Sequence, residues 1–517
     1  MQRKIETDRE QPGEPQNTGE LLELRARAMP DKHFLFSEMD GRRYTYSEFD
    51  RAVNRAARML AAHDIKKGDA VSLLMPNGVE YIIAYFACFK LGALAGPVNS
   101  LLKAEEITYV VADSEAKALV VGSEFLPVIE GIRQKLPDLR HVIVFDDEAQ
   151  ATAPFETGAL PDLNLNVDDE AIIIYTSGTT GKPKGCLLTH GNIIANARQI
   201  TKWLGFTAED RLLTVMPLFH MNAVSVTTMT PLYAGASTVI SRRFSSSRFW
   251  QIISDYEVTS FGSVATMLSM LLTTYPEGVP AGLKTSQLRF AMCGSAPVPA
   301  EVLKNFEETF NCLVIEGYGL SESTCRSSFN PPDERRRPGS CGMAIGNEMK
   351  VVDDEDREVA DGELGEIVLR GDNILKGYYK NVEATERAFR NGWFHTGDIG
   401  YRDADGFFYI VDRKSDMIIR GGENIYPREI DEVLYQHPAV TAAATIGVPD
   451  SLYGEEVAAF IVLKSGATVT EEEIIAFCRE HLADFKCPKS VRFVKDIPKG
   501  PTGKLLKREL ARLYKPG

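Results

Sequence analysis

Short apolar runs alternate with amphipathic segments along most of the chain. In residues 44–74, apolar positions three and four apart give way, after Gly68, to a continuous apolar run. This pattern predicts a helix, a turn and a buried strand. Residues 248–256 carry another helical pattern. Further short apolar runs predict strands at residues 118–122, 141–145, 212–216, 237–241 and 289–294.

The alternation of helices and strands predicts an α/β fold of stacked, largely parallel sheets. After residue 340, strand patterns are separated by short acidic or glycine turns, which predicts a small β-barrel-like subdomain. Beyond residue 412, helical patterns mix with strand patterns over a length sufficient for a separate α+β domain. The predicted helices there are residues 427–438 and 471–483, and the predicted strands are residues 442–448 and 458–463.

These changes of pattern define a predicted domain organisation. It consists of a polar tail (1–18), a large N-terminal domain (19–411, whose β-rich subdomain is 340–411) and a small C-terminal domain (412–517).

Residues 175–185 read YTSGTTGKPKG and lie between two predicted strands, 171–174 and 186–189. Glycine lets backbone N–H groups approach an anion closely, while hydroxyls and lysines add hydrogen-bond donors and positive charge. The stretch therefore predicts a phosphate-binding loop, the alternative being a solvated turn. It is not a Walker A loop, because Thr176 stands where that motif needs glycine and Pro183 follows Lys182.

Composition limits the kinds of binding partner and the cellular location that are expected. The 58 basic and 72 acidic side chains give a net charge of −14, which argues against a nucleic-acid-binding surface. Eight cysteines without a C-x-x-C pair indicate neither a zinc site nor a disulfide framework. The N-terminus lacks the apolar run of a signal peptide, so a cytoplasmic location is expected. Residues 79–98 are nearly long enough to span a membrane, but Glu80 and Lys90 interrupt them, and we expect a buried helix and strand.

Four further stretches follow the loop in order: MCGSAP (292–297), EGYGLSEST (316–324), WFHTGDIG (393–400) and GPTGK (500–504). With YTSGTTGKPKG they resemble the adenylate-forming superfamily of acyl-CoA synthetases, adenylation domains and firefly luciferases. The resemblance runs from about residue 20 to residue 510. The stretches MPLFHMN (216–222), RRFSSSRFW (242–250) and VDRKSDMIIRGGEN (411–424) also resemble the carnitine and crotonobetaine CoA ligases.

The resemblance implies a two-step reaction. The carboxylate of an acid first attacks the α-phosphorus of ATP, forming an acyl-adenylate and releasing pyrophosphate, and a thiol then displaces AMP. Such chemistry depends mainly on positioning and on cationic stabilisation of phosphoryl oxygens. ATP and coenzyme A are the implied co-substrates, and Mg²⁺ is the implied cofactor.

The resemblance also assigns residues to the nucleotide. Asp398 would accept hydrogen bonds from both ribose hydroxyls and Arg413 would reach the nucleotide, whereas outside this motif set they would be an ordinary turn cap and a surface arginine. Glu322 and Thr180 would hold the metal, since Mg²⁺ prefers oxygen donors. The implied phosphate contacts are Thr176, Ser177, Gly178, Thr179, Thr180, Gly181, Lys182 and Lys184, and the implied adenine segments contribute Gly294, Ser295, Ala296, Glu316, Gly317, Tyr318, Gly319 and Ser321.

A mobile C-terminal domain is part of the family's mechanism. Lys504 would bridge the carboxylate and the α-phosphate during adenylation only. The domain would then rotate and bring Arg420, Gly421 and Gly422 over the site to form the coenzyme A tunnel. The hinge position, usually Asp or Lys, is here Ser415, which leaves the pivoting residue open.

The acyl pocket would be lined by His220, Met221, Val264 and Gly319, from segments 219–226, 260–267, 292–295 and 317–325. His220 fits a gate at this pocket and a core position equally well. Ala265 stands where many relatives have proline, so this loop is expected to have a different shape. The lining is mostly small or apolar and shows no fixed cation for a second acidic group, so we expect a short- or medium-chain or an aromatic acid.

The expected activity is that of an AMP-forming acid–CoA ligase, with free coenzyme A as acceptor because the chain ends at Gly517 without a carrier domain. An adenylation enzyme that loads a separate carrier protein is the alternative, and a non-catalytic adenylate-binding regulator is a remote one. A regulator would need neither Glu322 nor Lys504. The oligomeric state stays open, including a homo-oligomer.

Overall fold

The computed structural model describes residues 14–176, 182–294, 298–498 and 507–514. Its helices are α1 (Thr18–Ala28), α2 (Tyr46–Ala62), α3 (Val79–Leu91), α4 (Ala104–Asp113), α5 (Leu126–Ile132), α6 (Glu148–Thr152), α7 (His190–Leu204), α8 (Thr230–Ala234), α9 (Ser246–Asp255), α10 (Ala265–Thr274), α11 (Ala300–Phe310), α12 (Val382–Ala388), α13 (Pro427–Gln436), α14 (Glu471–His481) and α15 (Lys507–Leu513). Its strands are β1 (His33–Ser37), β2 (Arg43–Thr45), β3 (Ala70–Leu74), β4 (Leu94–Pro97), β5 (Ala118–Val121), β6 (His141–Val144), β7 (Glu170–Thr176), β8 (Lys184–Thr189), β9 (Arg211–Thr214), β10 (Ser237–Ile240), β11 (Ser260–Ser263), β12 (Phe290–Cys293), β13 (Leu313–Tyr318), β14 (Ser328–Phe329), β15 (Met343–Ala344), β16 (Glu348–Val352), β17 (Gly365–Arg370), β18 (Gly377–Tyr378), β19 (Phe389–Arg390), β20 (Trp393–Arg402), β21 (Phe408–Arg413), β22 (Ile418–Arg420), β23 (Glu423–Ile425), β24 (Val440–Asp450), β25 (Gly454–Leu463) and β26 (Ser490–Phe493).

Two large sheets form the body of the N-terminal region. One has the strand order β18-β8-β7-β4-β3-β5-β6, and the other has the order β15-β14-β13-β12-β11-β9-β10-β1-β2. Their central strands pair in parallel, and antiparallel pairs lie towards the edges, as between β7 and β8. The predicted α/β fold with largely parallel sheets is confirmed.

Helix α3 lies between the two sheets and is buried over its whole length. The Tyr81 hydroxyl donates to the carbonyl of Leu73 in β3, and the Tyr85 hydroxyl donates to the carbonyl of Leu218, which follows β9. The buried helix and strand expected over residues 79–98 are therefore α3 and β4. Among the described residues, none of the helices combines the length and the apolar character that a membrane crossing requires.

The strand predictions hold within a few residues, because β5, β9, β10 and β12 are largely buried, whereas β6 is partly exposed at the edge of its sheet. The five runs predicted between residues 118 and 294 are β5, β6, β9, β10 and β12. Helix α1 begins at Thr18, the last residue of the predicted tail, where the Asn17 side chain accepts from the backbone N–H of Glu20.

Strands β16, β17, β19, β20 and β21 form an antiparallel five-stranded sheet where the β-rich subdomain was predicted. After a turn at residues 414–416, strands β22 to β26 form a further sheet that is covered by α13 and α14. This C-terminal unit has hydrophobic clusters of its own, around Ile430 and Ile461 and around Ile446 and Leu510. The boundary at residue 412 stays a prediction, and β21 runs across it to Arg413.

Candidate active site

A cleft of about 260 Å³ lies where the carboxyl ends of β12 and β13 face β20, β21 and the C-terminal unit. Ligand sites commonly form at the carboxyl ends of parallel strands. The predicted nucleotide residues that line this cleft are Gly294, Glu316, Gly317, Tyr318, Gly319, Asp398 and Arg413. The fold therefore brings together three segments that are far apart in the sequence.

Asp398 is held at the edge of this cleft by two neighbours. The hydroxyl of Tyr318 donates to its Oδ2 at 2.6 Å, and Nε of Arg413 lies 3.1 Å from its Oδ1. Strand pairing causes the second contact, since Asp398 of β20 is opposite Arg413 of β21. Burial and the nearby carboxylate raise the pKa of Tyr318 well above its usual range, so this phenol stays protonated as a donor.

Two glycines of the predicted adenine segment are required by the protein's own packing. A Cβ on Gly317 would lie 2.4 Å from the ring of Phe329, and one on Gly319 would lie 1.9 Å from the carbonyl oxygen of Cys325. The backbone after β13 is therefore packed tightly against the segment that follows it. This packing leaves the opposite side of the backbone open to the cleft.

Glu316 and Ser321 occupy different environments. Glu316 accepts from the backbone N–H of Gly339 at 2.9 Å, and burial raises its pKa to about 7. Ser321 begins a short 3-10 turn and is half-buried. Ser321 is not among the residues that line the cleft.

Strands β7 and β8 carry the described ends of the predicted phosphate loop, with Thr176 opposite Lys184 in the ladder. The ammonium group of Lys184 lies 5.1 Å above the ring of Tyr378, and that of Lys182 lies 5.3 Å above the ring of Tyr109. The prediction that the loop joins two strands is confirmed.

Glu322 lies next to the same strand pair. Its Oε1 accepts from the hydroxyl of Tyr378 at 3.1 Å and from that of Thr176 at 3.4 Å. The group is a single carboxylate surrounded by hydroxyls, and no cluster of three His, Cys, Asp or Glu able to hold a metal occurs among the described residues. These oxygen donors fit Mg²⁺, which is usually held by one or two carboxylates together with substrate phosphates.

Some of the predicted site residues lie outside the part of the chain that the structure describes. They are Ser177, Gly178, Thr179, Thr180, Gly181, Ser295, Ala296 and Lys504.

The predicted acyl-pocket residues follow β9 and β11. His220 precedes a π-helical stretch, Asn222–Met229, and its ring lies 4.6 Å from that of Phe219. Its Nε2 is buried without a hydrogen-bond partner, and burial lowers the pKa of this histidine to about 4. Met221 and Val264 are buried. His220 is therefore a neutral, half-buried imidazole at neutral pH.

The predicted coenzyme A residues lie apart from this cleft. Arg420 forms an ion pair with Glu456, and its guanidinium lies 4.1 Å above the ring of Tyr453. Gly421 and Gly422 have φ values of 60° and 93°, a conformation that favours glycine. None of Arg420, Gly421 and Gly422 is among the described residues that line the cleft. Ser415 is exposed in the turn that follows β21.

The structure adds residues that the sequence prediction missed. Arg428, Asp431 and Lys507 of the C-terminal unit line the cleft, and Tyr378 contacts Glu322. The backbone N–H of Arg428 donates to Asp412 at 2.9 Å. Nζ of Lys507 lies 4.0 Å from Asp431, and burial raises the pKa of Asp431 to about 7. The sequence could have indicated Asp431, because an acidic residue on the apolar face of a predicted helix is unusual.

Two family models match the chain. The model described as AMP-binding enzyme matches residues 22–379, and that of the AMP-binding enzyme C-terminal domain matches residues 429–504. Similar curated proteins include a sulfoacetate–CoA ligase of Cupriavidus necator, 36% identical over 495 residues, or 95% of this chain and 96% of that protein. An oxalate–CoA ligase of Arabidopsis thaliana is 36% identical over 510 residues (96% and 98%), and a crotonobetaine/carnitine–CoA ligase of Escherichia coli is 33% identical over 485 residues (90% and 93%).

Solved structures agree with this assignment. An anthranilate CoA ligase in complex with anthranoyl-AMP has a TM-score of 0.87 and 31% identity, covering 96% of this chain and 97% of that one. An o-succinylbenzoate coenzyme A synthetase of Bacillus subtilis in complex with ATP and a magnesium ion has a TM-score of 0.83 and 33% identity, covering 95% and 98%. This chain thus belongs to the AMP-binding enzymes of the adenylate-forming superfamily and is an ATP-dependent acid–CoA ligase.

Proposed function

We propose that the cleft at the carboxyl ends of β12 and β13, which faces β20, β21 and the C-terminal unit, activates a carboxylic acid as its acyl-adenylate and then transfers the acyl group to coenzyme A. The observation that carries the proposal is the convergence of Asp398, Tyr318 and Arg413 at this cleft. Glu322, three residues after Gly319 of the cleft lining, accepts from Thr176 of β7, which is opposite Lys184 of β8. These contacts support a site in which the proposed nucleotide-binding segments lie near the proposed phosphate-binding segment.

In the first step an oxygen of the acid attacks the α-phosphorus of ATP, and the bond to pyrophosphate breaks. Asp398 holds the ribose, and Thr176, Lys182 and Lys184 hold the outgoing phosphates, with Lys504 assigned to the α-phosphate. Glu322 would hold Mg²⁺ together with Thr180, and the ion would neutralise phosphate charge. In the second step the coenzyme A thiolate attacks the acyl carbon and AMP leaves, with Arg420 on the thiol side.

The C-terminal unit supplies different residues to the two steps. Arg428, Asp431 and Lys507 already line the cleft, whereas Arg420 lies apart from it. This arrangement fits the first step. The second step would need a rotation about the turn at Lys414–Asp416, where Ser415 is exposed and Lys414 Nζ lies 2.8 Å from Asp354.

We assign the acid to the short- or medium-chain or aromatic carboxylates. The names of the relatives span sulfoacetate, oxalate, long-chain fatty acids and ferulate, so similarity alone does not select one. A cytoplasmic location is supported by the eight cysteines, all of which are free thiols.

The test is a pyrophosphate-release assay over a panel of carboxylic acids with ATP and Mg²⁺, with and without coenzyme A. We expect AMP and pyrophosphate in equal amounts and an acyl-CoA product. ADP and phosphate would contradict the proposed reaction, and acyl-adenylate that never reacts with free coenzyme A would indicate a carrier protein as acceptor.

A further inference from the structure

Arg326 is a buried cation directly beside the cleft. The residue is 2% exposed, and its backbone carbonyl accepts from the side-chain amides of Asn196 at 2.7 Å and Asn373 at 3.1 Å. The guanidinium lies over the ring of Phe329, 5.3 Å from its centre. Its Nε and Nη2 have no hydrogen-bond partner in the described chain.

The guanidinium also lacks a counter-ion within the described part of the chain. Among the residues that the structure describes, no carboxylate lies within 4.0 Å of it, whereas other partly buried arginines are paired. Arg55 lies 2.8 Å from Glu148, and Arg289 lies 2.8 Å from Asp210. A buried charge is costly unless it is paired and hydrogen-bonded, so a charge kept without a partner indicates a ligand that supplies one.

The position of the guanidinium connects it to the cleft. A Cβ built on Gly294 would lie 2.5 Å from Nη2 and 2.6 Å from Nη1 of Arg326. Gly294 lines the cleft and follows β12. A side chain at residue 294 would therefore occupy the place of the guanidinium, which can lie directly behind this part of the cleft wall only because residue 294 is glycine.

The side-chain amide of Asn222 is a further buried group that lies on the same side of this sheet. Both amide atoms of Asn222 are buried without partners, and its Oδ1 would lie 2.9 Å from a Cβ on Gly262. Gly262 pairs with Met292, and Met292 and Gly294 point to the same face because side chains alternate along a strand. The Cβ positions of Gly262 and Gly294 are therefore about 8 Å apart, given strand spacings of about 4.8 Å and a rise of about 3.3 Å per residue.

His220, two residues before Asn222, contributes a further buried nitrogen without a partner, Nε2. The predicted acyl-pocket residues Met221 and Val264 adjoin the same segments. A fixed cation, an amide and an imidazole thus lie behind the cleft near Gly294, although none of the three is among the described residues that line it. The sequence prediction missed the cation because the lining segment was taken to end at Cys325, one residue before Arg326.

We propose that Arg326 binds a second anionic group of the acid substrate, a carboxylate or a sulfonate, and that Asn222 completes this subsite. This inference rests on the proposed acid–CoA ligase function and specifies its substrate class. A guanidinium presents parallel N–H donors that match the two oxygens of such a group, and a charge-assisted pair is strongest where water is excluded. The acid's other carboxylate is then the one that is adenylated.

The test compares each diacid with an analogue of the same shape in which the second acidic group is replaced by a neutral one. The pairs are malonate with malonamate, succinate with succinamate, terephthalate with terephthalamate, and sulfoacetate with methylsulfonylacetate. For the best pair, we expect the wild type to favour the anionic member by about 100-fold in kcat/KM for pyrophosphate release. Arg326→Met should remove most of that preference by slowing the anionic member alone, and Arg326→Lys should restore part of it.

Stability separates a substrate role from a structural one. Arg326→Met removes a buried charge that has no counter-ion among the described residues, so the melting temperature should stay the same or rise. Arg55→Met is the matched control, since it leaves the buried carboxylate of Glu148 unpaired, and it should lower the melting temperature. The preferred diacid should raise the melting temperature of the wild type but not that of Arg326→Met.

The outcomes distinguish this inference from the proposed function. If the wild type uses monoacids such as butyrate or benzoate but prefers the neutral member of every pair, the enzyme is a ligase and Arg326 does not bind substrate. A lower melting temperature of Arg326→Met, with all acids slowed equally, would likewise assign Arg326 to the fold and overturn the inference. If no acid releases pyrophosphate, the proposed function itself fails.

Discussion

Replacing Asp398 by Asn tests the ribose contact on which the nucleotide site depends. The residue is 4% exposed, accepts from Tyr318 at 2.6 Å and lies 3.1 Å from Arg413. Each carboxylate oxygen has two lone pairs, so one on each oxygen stays available for a ribose hydroxyl. Asn keeps the shape but turns one acceptor into a donor, and one of the two hydroxyls loses its partner.

The loss can be estimated from the type of contact. A hydrogen bond to a charged group contributes about 1.5–3 kcal/mol. At about 1.4 kcal/mol for each factor of ten, kcat/KM for ATP should fall about 10- to 150-fold. The fold should survive, because Asn still has an oxygen that can face Arg413.

Pyrophosphate release with ATP, 2′-deoxy-ATP and 3′-deoxy-ATP is the assay. When ATP is replaced by at least one of the deoxynucleotides, kcat/KM of the wild type should fall by a similar factor. The same replacement should lower kcat/KM of Asp398→Asn much less, because the variant already lacks that contact. Asp361→Asn is a matched control, because Asp361 lies 2.7 Å from Arg402 in an Asp–Arg pair away from the cleft. Its activity should be unchanged.

The ribose assignment would be refuted if Asp398→Asn kept its melting temperature but its kcat/KM, relative to the wild type, fell by the same factor with ATP and with both deoxynucleotides. The carboxylate would then act by positioning Tyr318 or Arg413. Tyr318→Phe would separate these two, since it removes only the hydroxyl that donates to Asp398.

Four further predictions concern other residues. Glu322→Gln should raise the Mg²⁺ concentration needed for half-maximal activity at least tenfold, and a magnesium titration like that of the wild type would contradict the metal role. His220→Ala should change the ranking of acids in kcat/KM more than the KM for ATP, and an unchanged ranking would make His220 a core residue. Lys504→Ala should lower overall activity by about 10³-fold or more, yet make thioester from preformed acyl-adenylate at near the wild-type rate, and equal loss of both half-reactions would exclude the two-pose mechanism. Burial raises the pKa of Glu316 from 4.5 to about 7, so between these pH values the folded state binds a proton that the unfolded state does not. The free energy of unfolding, measured with urea, should therefore fall as the pH rises from 4.5 to 7, and Glu316→Gln should reduce this pH dependence. An unchanged pH dependence in the variant would contradict the burial effect.

The elements could be predicted, and the proposed nucleotide residues could be chosen, because both depend on short stretches of sequence. Buried parallel strands are continuous apolar runs, so β5, β9 and β12 could be located to within a few residues. Asp398 and Glu322 were predicted by motif, and the structure gives each of them polar neighbours suited to the proposed role. The structure adds the distant partners, since Tyr378 meets Glu322 only through the pairing of β18 with β8.

Other site residues were not predictable, because their position depends on how separate units pack. Arg428 and Lys507 lie in the C-terminal unit, and no local pattern indicates that their side chains line a cleft formed by β12 and β13. The sequence analysis assigned Arg420 to the coenzyme A side and did not single out Arg428. The structure places Arg428 beside Asp412 and Arg420 beside Glu456, so it assigns them to different surfaces.

Arg326 shows why the reaction class is easier to predict than the substrate. Phosphate and ribose are the same in every reaction of this family, and the groups that bind them lie in short motifs. The acid differs, and the side chains proposed to bind it, Asn222 and Arg326, lie on separate segments that come near each other only in the folded protein. An arginine in a sequence is usually solvated, and only its burial beside Gly294 without a counter-ion marks it as a group that needs an anion. For this enzyme, substrate specificity should therefore be sought among buried polar atoms that have no partner, rather than among the motif residues.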